Sequence, residues 1–315
     1  ADPCRQYAEP SWSPDGKSLA MVRLPLMQAM RDAAAGLDTA GFISGYRGSP
    51  LGGLDQALWK AKKHLKSHRI EFTSGVNEDL AATMVWGSQQ VNLFPGAKHQ
   101  GVFAMWYGKG PGVDRSGDVF KHGNAAGTSQ HGGVLVLAGD DHACRSSTLP
   151  HGSEQEFVSA MMPVLNPAGV QDILDMGILG WAMSRYTGRW VGFKTIAETV
   201  ESSASVIVNP HQLDIRLPTD LVLPPGGLNI RWPDPPLDQE LRLHQYAMHA
   251  AQAFARANQI DKIIFDSPRA RLGIVTTGKS YLDVLQALEY LGIDHRAAED
   301  IGIRVYKVGM TWPLE

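Results

Sequence analysis

Arg69 to Gln90 reads RIEFTSGVNEDLAATMVWGSQQ. Ile70 to Thr73 alternates β-forming and polar residues, the period-two pattern of a short strand. Gly75 interrupts it, Asn77 offers the side chain of an N-cap, and Glu78 to Gln90 carries Ala, Leu, Met and Trp at helical spacing. A carboxylate, Glu78, therefore stands where a strand passes into a helix, at the edge of an α/β sheet where ligands bind. Acidic residues also occur at helix starts because they complement the helix dipole. The stretch thus decides the fold class and leaves the role of Glu78 open.

Upstream, Leu26 to Leu37 predicts an amphipathic helix and Gly41-Phe-Ile-Ser44 a buried strand. Gly45-Tyr-Arg-Gly-Ser-Pro50 then reads as a turn into a helix, with Ser49 as N-cap and Pro50 at the first helical position. That helix continues through LDQALWKAKKHLKSH. Downstream come a strand, HQGVFAMW, a long glycine-rich loop from Tyr107 to Gly132, and a core strand, VLVLAGDD. A second polar loop, HACRSSTLPHGSEQE, leads into mixed segments that end near Val208. Strands alternating with helices predict an α/β fold with a largely parallel sheet covered on both faces.

Residues 1–23 read as an irregular leader, in which SWSPDGKSLA resembles a single turn-and-strand of a propeller repeat. Residues 24–208 form the first α/β domain, and the proline-rich residues 209–240 an extended connector. Residues 241–315 open with a helix from Leu241 to Asn258. LGIVTTG (strand), KSYLDVLQALEYLG (helix) and IRVYKVG (strand) then make one βαβ unit. Such a unit cannot cover its own sheet, so this second α/β domain is expected to be partial. The first residue is Ala rather than Met, and the chain reads as a fragment.

With 315 residues and 43% hydrophobic content the chain can bury a large core. A formal charge of −3 argues against nucleic-acid or membrane-surface binding. Cys4 and Cys144 are the two cysteines, too few for a disulfide framework or for four cysteine ligands to an iron–sulfur cluster. No run approaches the roughly 20 apolar residues of a membrane span, and no signal-peptide pattern opens the sequence. The expectation is a cytoplasmic enzyme or a piece of one.

Gly273-Ile-Val-Thr-Thr-Gly278-Lys279-Ser280 matches the letters of a P-loop. Its four central residues are all β-branched and read better as the strand itself than as a loop wrapping a phosphate. His122, His131, His142 and His151 punctuate the two polar loops without the spacing of metal ligands, so no metal site is expected, and an acid/base or substrate contact is open to one of them. Lys109, Arg115 and Lys121 could pair with an anionic substrate, or simply be solvated. Tyr46 and Arg47, at the carboxyl end of a strand, face the same crevice.

Several long strings occur in order from about Leu24 to Glu315: GFISGYRGSPLGGLDQ, GVNEDLAATMVWGSQQ, GWAMSRYTGRWVGFK with ETVESSASV, GGLNIRWPDPPLDQE, and DSPRARLGIVTTGKSYLDV. Together they resemble the large fused indolepyruvate ferredoxin oxidoreductases of the 2-oxoacid:ferredoxin oxidoreductase family, in their N-terminal portion. The resemblance implies oxidative decarboxylation of an arylpyruvate with thiamine diphosphate, transfer of the acyl group to coenzyme A, and reduction of ferredoxin through 4Fe-4S clusters. It implies a pyrimidine-binding-type domain over residues 24–208 and the start of a transketolase C-terminal-like domain after the connector.

In that family a glutamate hydrogen-bonds the pyrimidine ring nitrogen, which favours the tautomer that removes the thiazolium proton. Glu78 occupies its position, as the catalytic and cofactor-binding residue. The turn Gly45, Gly48, Ser49 and Pro50 is placed beside the cofactor, with Ser49, Arg47, Lys109 and Arg115 toward the substrate carboxylate. Relatives carry proline and an aliphatic residue where this chain has Arg47-Gly48. The diphosphate and Mg²⁺ motif, a GDG followed by Asn, is not matched by Gly139-Asp140-Asp141. The metal site and the clusters are therefore expected outside this chain, in the remaining domains or subunits of a homo-oligomeric enzyme, and the 315 residues alone are expected to be inactive. The alternatives are a non-catalytic module that docks a cofactor-bearing partner and, third, a P-loop nucleotide-binding protein.

Overall fold

The computed structural model describes residues 19–315, so the leader reading of residues 1–18, with most of SWSPDGKSLA, lies outside the described residues. Helix α1 (Leu19–Ala34) starts before the predicted Leu26 and carries Pro25 inside it. Residues 19–23, read as leader, are helical. The proline forfeits one ladder position, while Met21, Val22 and Leu24 are buried in the core and keep the preceding turn in place.

Strand β1 (Thr39–Gly45) is followed by a turn and then by α2 (Leu54–Lys60) and α3 (Lys62–Ser67). Ser49 does not cap α2 and Pro50 is not its first residue; Gly53 holds the cap position without a side-chain bond. A helix begun at Pro50 would have to continue through Gly52-Gly53, whereas the turn lets both Leu51 and Leu54 reach the core. Next come β2 (Ile70–Phe72) and α4 (Glu78–Gln89), whose N-cap Asn77 accepts the Leu80 N–H at 2.9 Å, as predicted. Strand β3 (Gly101–Lys109) follows.

The predicted loop from Tyr107 to Gly132 is instead the end of β3 followed by two helices, α5 (Gly110–Arg115) and α6 (Gly117–Ala126). Glycine disfavours isolated helices, but here it permits close contacts that any Cβ would block. A Cβ on Gly123 would stand 2.6 Å from the Trp190 ring, and one on Gly117 would stand 2.3 Å from the Glu156 carboxylate. Phe120 fills the space between Trp106, Phe157 and Trp190. Packing outweighs propensity in this segment.

The chain continues through β4 (Val134–Asp140), α7 (Glu154–Ser159), β5 (Val164–Leu165), α8 (Val170–Thr187), β6 (Val191–Ile196) and the single turn α9 (Ala197–Val200). Beyond the irregular residues 201–235, α10 (Pro236–Arg242), a π turn (Leu243–Ala247) and α11 (Met248–Ala257) run on without a break. Strands β7 (Lys262–Phe265) and β8 (Leu272–Thr277), helices α12 (Gly278–Tyr290) and α13 (His295–Ile301), and strands β9 (Ile303–Val308) and β10 (Met310–Trp312) complete the fold.

The first sheet has the order β10-β5-β6-β4-β3-β1-β2 and is parallel except for β10. Successive side chains of a strand point to opposite faces, and β3 and β4 feed two separate cores accordingly. Phe103, Met105, Tyr107, Leu135 and Leu137 pack with α1 and α8 on one face. Ala104, Trp106, Val134, Val136 and Ala138 pack with α4 and α6 on the other.

The second sheet has the order β7-β9-β8, with β8 and β9 parallel and β7 antiparallel. Two joints fasten it to the first. Phe254 of α11 is buried in the core beneath α8, and β10 joins β5 in the first sheet. Lys307 also reaches Asp172 of α8 at 2.5 Å. No helix of the described residues is long and apolar enough to cross a membrane.

Candidate active site

Because β1, β3, β4 and β6 are parallel neighbours, the segments leaving their carboxyl ends gather along one edge of the sheet. Glu78, which follows β2, joins them. Its residue is only 9% exposed, and its backbone carbonyl accepts the Trp106 indole N–H at 3.0 Å. The side chain lies against the backbone of α5 at Gly112. A Cβ there would stand 2.5 Å from Glu78 Cγ and 2.8 Å from Oε1. Among the described residues the Glu78 carboxylate has no hydrogen bond or ion pair. The residue is largely buried, and its side chain rests on a seat that only glycine leaves open. Its neighbour Asp79, by contrast, accepts from Arg115 Nε at 2.8 Å.

The turn after β1 leaves the same edge of the sheet, and the Gly45 carbonyl accepts the Gly75 N–H at 2.8 Å. Gly45 is required by close approach, since a Cβ would fall 2.1 Å from the Tyr107 carbonyl oxygen. Burial, reinforced by the bond that the Tyr107 hydroxyl donates to Asp55, pushes that phenol upward from its ordinary value. The Lys109 side chain lies over Gly48, where a Cβ would meet it at 2.8 Å. Pro50 packs against Gly139. Arg47 is exposed. Among the described residues neither Arg47 nor Lys109 is in an ion pair, whereas Arg115 is held by Asp79.

Ser49 Oγ lies 2.5 Å from Ser146 Oγ, a contact no sequence pattern announced. Ser146 belongs to a compact nest in which the Asp141 carboxylate accepts the backbone N–H groups of Ser146, Arg145 and Ser147 at 2.8, 2.9 and 3.0 Å. Those donors, Ser146 first, hold the Asp141 carboxyl at about 2, well below its ordinary value. The two hydroxyl-bearing turns therefore meet across the site, one fixed by β1 and the other by Asp141.

Behind them lies a buried charged cluster that sequence reading missed. Asp140, the last residue of β4, accepts Ser153 Oγ at 2.6 Å and Ser153 N at 2.9 Å. Lys194 of β6 lies 3.8 Å from Asp140 and is bonded to Glu154. Burial opposes ionisation of Glu154, but the bond from Lys194 prevails and its carboxyl is held below the usual range. A lysine inside the buried strand VGFKTI was the available signal, since such a charge demands a partner.

The four histidines part company. His122 is on α6 and stacks on Trp86, His131 is half-buried, His142 is exposed, and His151 is wedged between Asp114 and Asp140. Among the described residues no group of His, Cys, Asp and Glu could hold a metal ion. At the P-loop-like string, Gly273 to Thr277 is strand, Gly278 makes the turn at φ +52°, and Lys279 pairs with Asp283 at 2.5 Å.

A family profile described as the indolepyruvate oxidoreductase domain matches residues 262–315. An indolepyruvate oxidoreductase subunit IorA from Pyrococcus abyssi is 26% identical over 224 residues, 69% of this chain and 32% of the relative. One from Methanothermobacter marburgensis is 23% identical over 283 residues, 87% of this chain and 40% of the relative. The chain thus spans well under half the length of these curated relatives. Among solved structures, the 2-oxoglutarate:ferredoxin oxidoreductase from Magnetococcus marinus, determined with 2-oxoglutarate, coenzyme A and succinyl-CoA bound, shares the fold. Its TM-score is 0.61 at 15% identity, covering 92% of this chain and 53% of that one.

Proposed function

We infer that the chain belongs to the indolepyruvate/2-oxoacid ferredoxin oxidoreductase family, and we propose that its first sheet carries the pyrimidine-binding half of a thiamine diphosphate site. The observation that carries this reading is Glu78: a largely buried residue at a helix start, its side chain resting on Gly112 and making no hydrogen bond or ion pair among the described residues. A ring nitrogen able to share a proton with the Glu78 carboxylate would give it a hydrogen-bond partner, so this half of the site suits the cofactor. When bound, thiamine diphosphate supplies the electron sink for decarboxylation.

The chain's own residues hold and orient. Glu78 offers its carboxylate to the ring nitrogen, while Gly45, Gly48 and Pro50 form the turn facing it. The hydroxyl pair Ser49 and Ser146, with the unpaired cations Arg47 and Lys109, receives the substrate carboxylate. In this reading Arg115 acts from behind by occupying Asp79, leaving Glu78 as the free carboxylate of the pair. The substrate is an arylpyruvate, the acyl acceptor coenzyme A and the electron acceptor ferredoxin. The diphosphate with its Mg²⁺ and the 4Fe-4S clusters are contributed from outside these 315 residues, by other domains or subunits of a cytoplasmic homo-oligomer.

The test is Glu78→Gln in the full-length, cofactor-loaded protein. Stability should change by no more than about 1 kcal/mol, the size of a lost dipole-complementing charge. Proton–deuterium exchange at the cofactor's C2 carbon, read by acid quench and NMR, should slow by about 10²–10⁴-fold. Exchange at the parental rate at full cofactor occupancy would leave a cofactor-free docking module as the better description.

A further inference from the structure

His151 is held from both sides. Its side chain is 17% exposed; Nε2 lies 2.8 Å from Asp114 Oδ2 and Nδ1 lies 3.5 Å from Asp140 Oδ1. Nδ1 is buried without a hydrogen bond. The ring is pressed against the backbone of α5, where a Cβ on Gly110 would stand 2.0 Å from Nδ1. The charged groups around it come from every neighbouring element. Asp114 is on α5 and the fully buried Asp140 ends β4. Lys194 on β6 is bonded to Glu154 of α7. Glu156 of α7 and Lys121 of α6 act on one another near Asp114, and His142 acts on Glu154.

Helix α5 has six residues, two of them glycine, and no side-chain cap. So short a helix does not hold itself together in water. Its residues divide between two fasteners. Gly110 and Asp114, one turn apart, meet His151. Gly112 meets Glu78, and Arg115 meets Asp79. The His151–Asp114 bond therefore ties α5 to the buried Asp140 anchor, while the opposite side of the same helix forms the seat of Glu78.

We propose that His151 is a positioning residue for Glu78, acting through α5 as a clamp between Asp140 and Asp114. This rests on the reading of Glu78 as the cofactor-facing carboxylate, but the clamp can be tested without any cofactor. In the 315-residue chain, amide hydrogen exchange of the segment 110–116 reads the clamp directly. His151→Ala should lower protection there by about tenfold, as expected for losing a charge-assisted bond, with core strands such as β4 unchanged. Asp114 is 59% exposed, so Asp114→Ala spares the core. It should give the same loss, and the double variant should be no worse than either single one. His151→Gln, whose amide nitrogen reaches the place of Nε2, should restore protection, and the shorter His151→Asn should not.

In the full-length protein loaded with thiamine diphosphate, His151→Ala should slow C2 exchange by about 10–10²-fold. Cofactor affinity should stay within a few-fold, and His151→Gln should recover the rate. Unchanged protection of 110–116 in both alanine variants overturns the clamp. Lost protection with a parental C2 rate, where Glu78→Gln is slow, overturns the positioning role. If Glu78→Gln itself exchanges at the parental rate, the functional reading fails, the positioning role falls with it, and the clamp alone stands or falls on amide protection.

Discussion

Replacing Gly112 by alanine is the sharpest probe of how the Glu78 carboxylate is seated. The new Cβ would come 2.5 Å from Glu78 Cγ and 2.8 Å from Oε1, where ordinary contact begins at 3.4 Å, so the side chain must give way by about 0.9 Å. The backbone has little room to retreat, because Asn77 caps the helix at 2.9 Å and Trp106 holds the Glu78 carbonyl at 3.0 Å. The carboxylate must therefore swing aside. A displacement near 1 Å at a reacting group costs about 10²-fold in rate. Stability should barely move, because alanine favours a helix over glycine by roughly 0.5–1 kcal/mol and the strained rotamer of Glu78 costs about 0.5–1.5 kcal/mol. Thermal melting of the 315-residue chain should thus shift by only a few degrees. C2 exchange in the cofactor-loaded full-length protein should slow by about 10²-fold. A folded Gly112→Ala variant that exchanges at the parental rate, beside a slow Glu78→Gln variant, would refute the claim that Gly112 sets the position of the carboxylate.

Two further predictions address the loops. Asp141 has its carboxyl lowered to about 2 by three backbone donors, so it contributes stability above the ordinary carboxylate value that is lost as pH falls through the folded one. Urea unfolding of the parent and Asp141→Asn should show a constant difference above about pH 5 that shrinks between about pH 4 and pH 2. A difference independent of pH would mean that the nest does not select the ionised form. Lys279→Ala should leave calorimetric titration with Mg-ATP unchanged, since Lys279 is engaged with Asp283 and Gly273 to Thr277 is strand. Tight binding abolished by the substitution would restore the P-loop reading.

The sequence by itself determined six strands (β1 to β4, β8 and β9), the largely parallel class of the first sheet, and the cap at Asn77. These follow from short-range patterns: period-two burial, glycine breaks and a polar cap before a helical run, all visible within about ten residues. It also placed Glu78 at a strand-to-helix passage, and its strings carried the family resemblance. It could not place α5 and α6, because their glycines oppose helix formation locally and are explained only by Glu78, Glu156 and Trp190 pressing on them from elsewhere in the chain. Nor could it show that Ser49 meets Ser146, ninety-seven positions away, or that His151 stands between Asp114 and Asp140. Likewise β10 reads as a tail after β9 until Asp261 accepts the N–H groups of Gly309 and Met310 and the strand docks on β5. Local pattern records which face of an element is buried. Which groups share a site depends on contacts between segments far apart in sequence, and these exist only once the sheet has aligned the carboxyl ends of its strands along one edge.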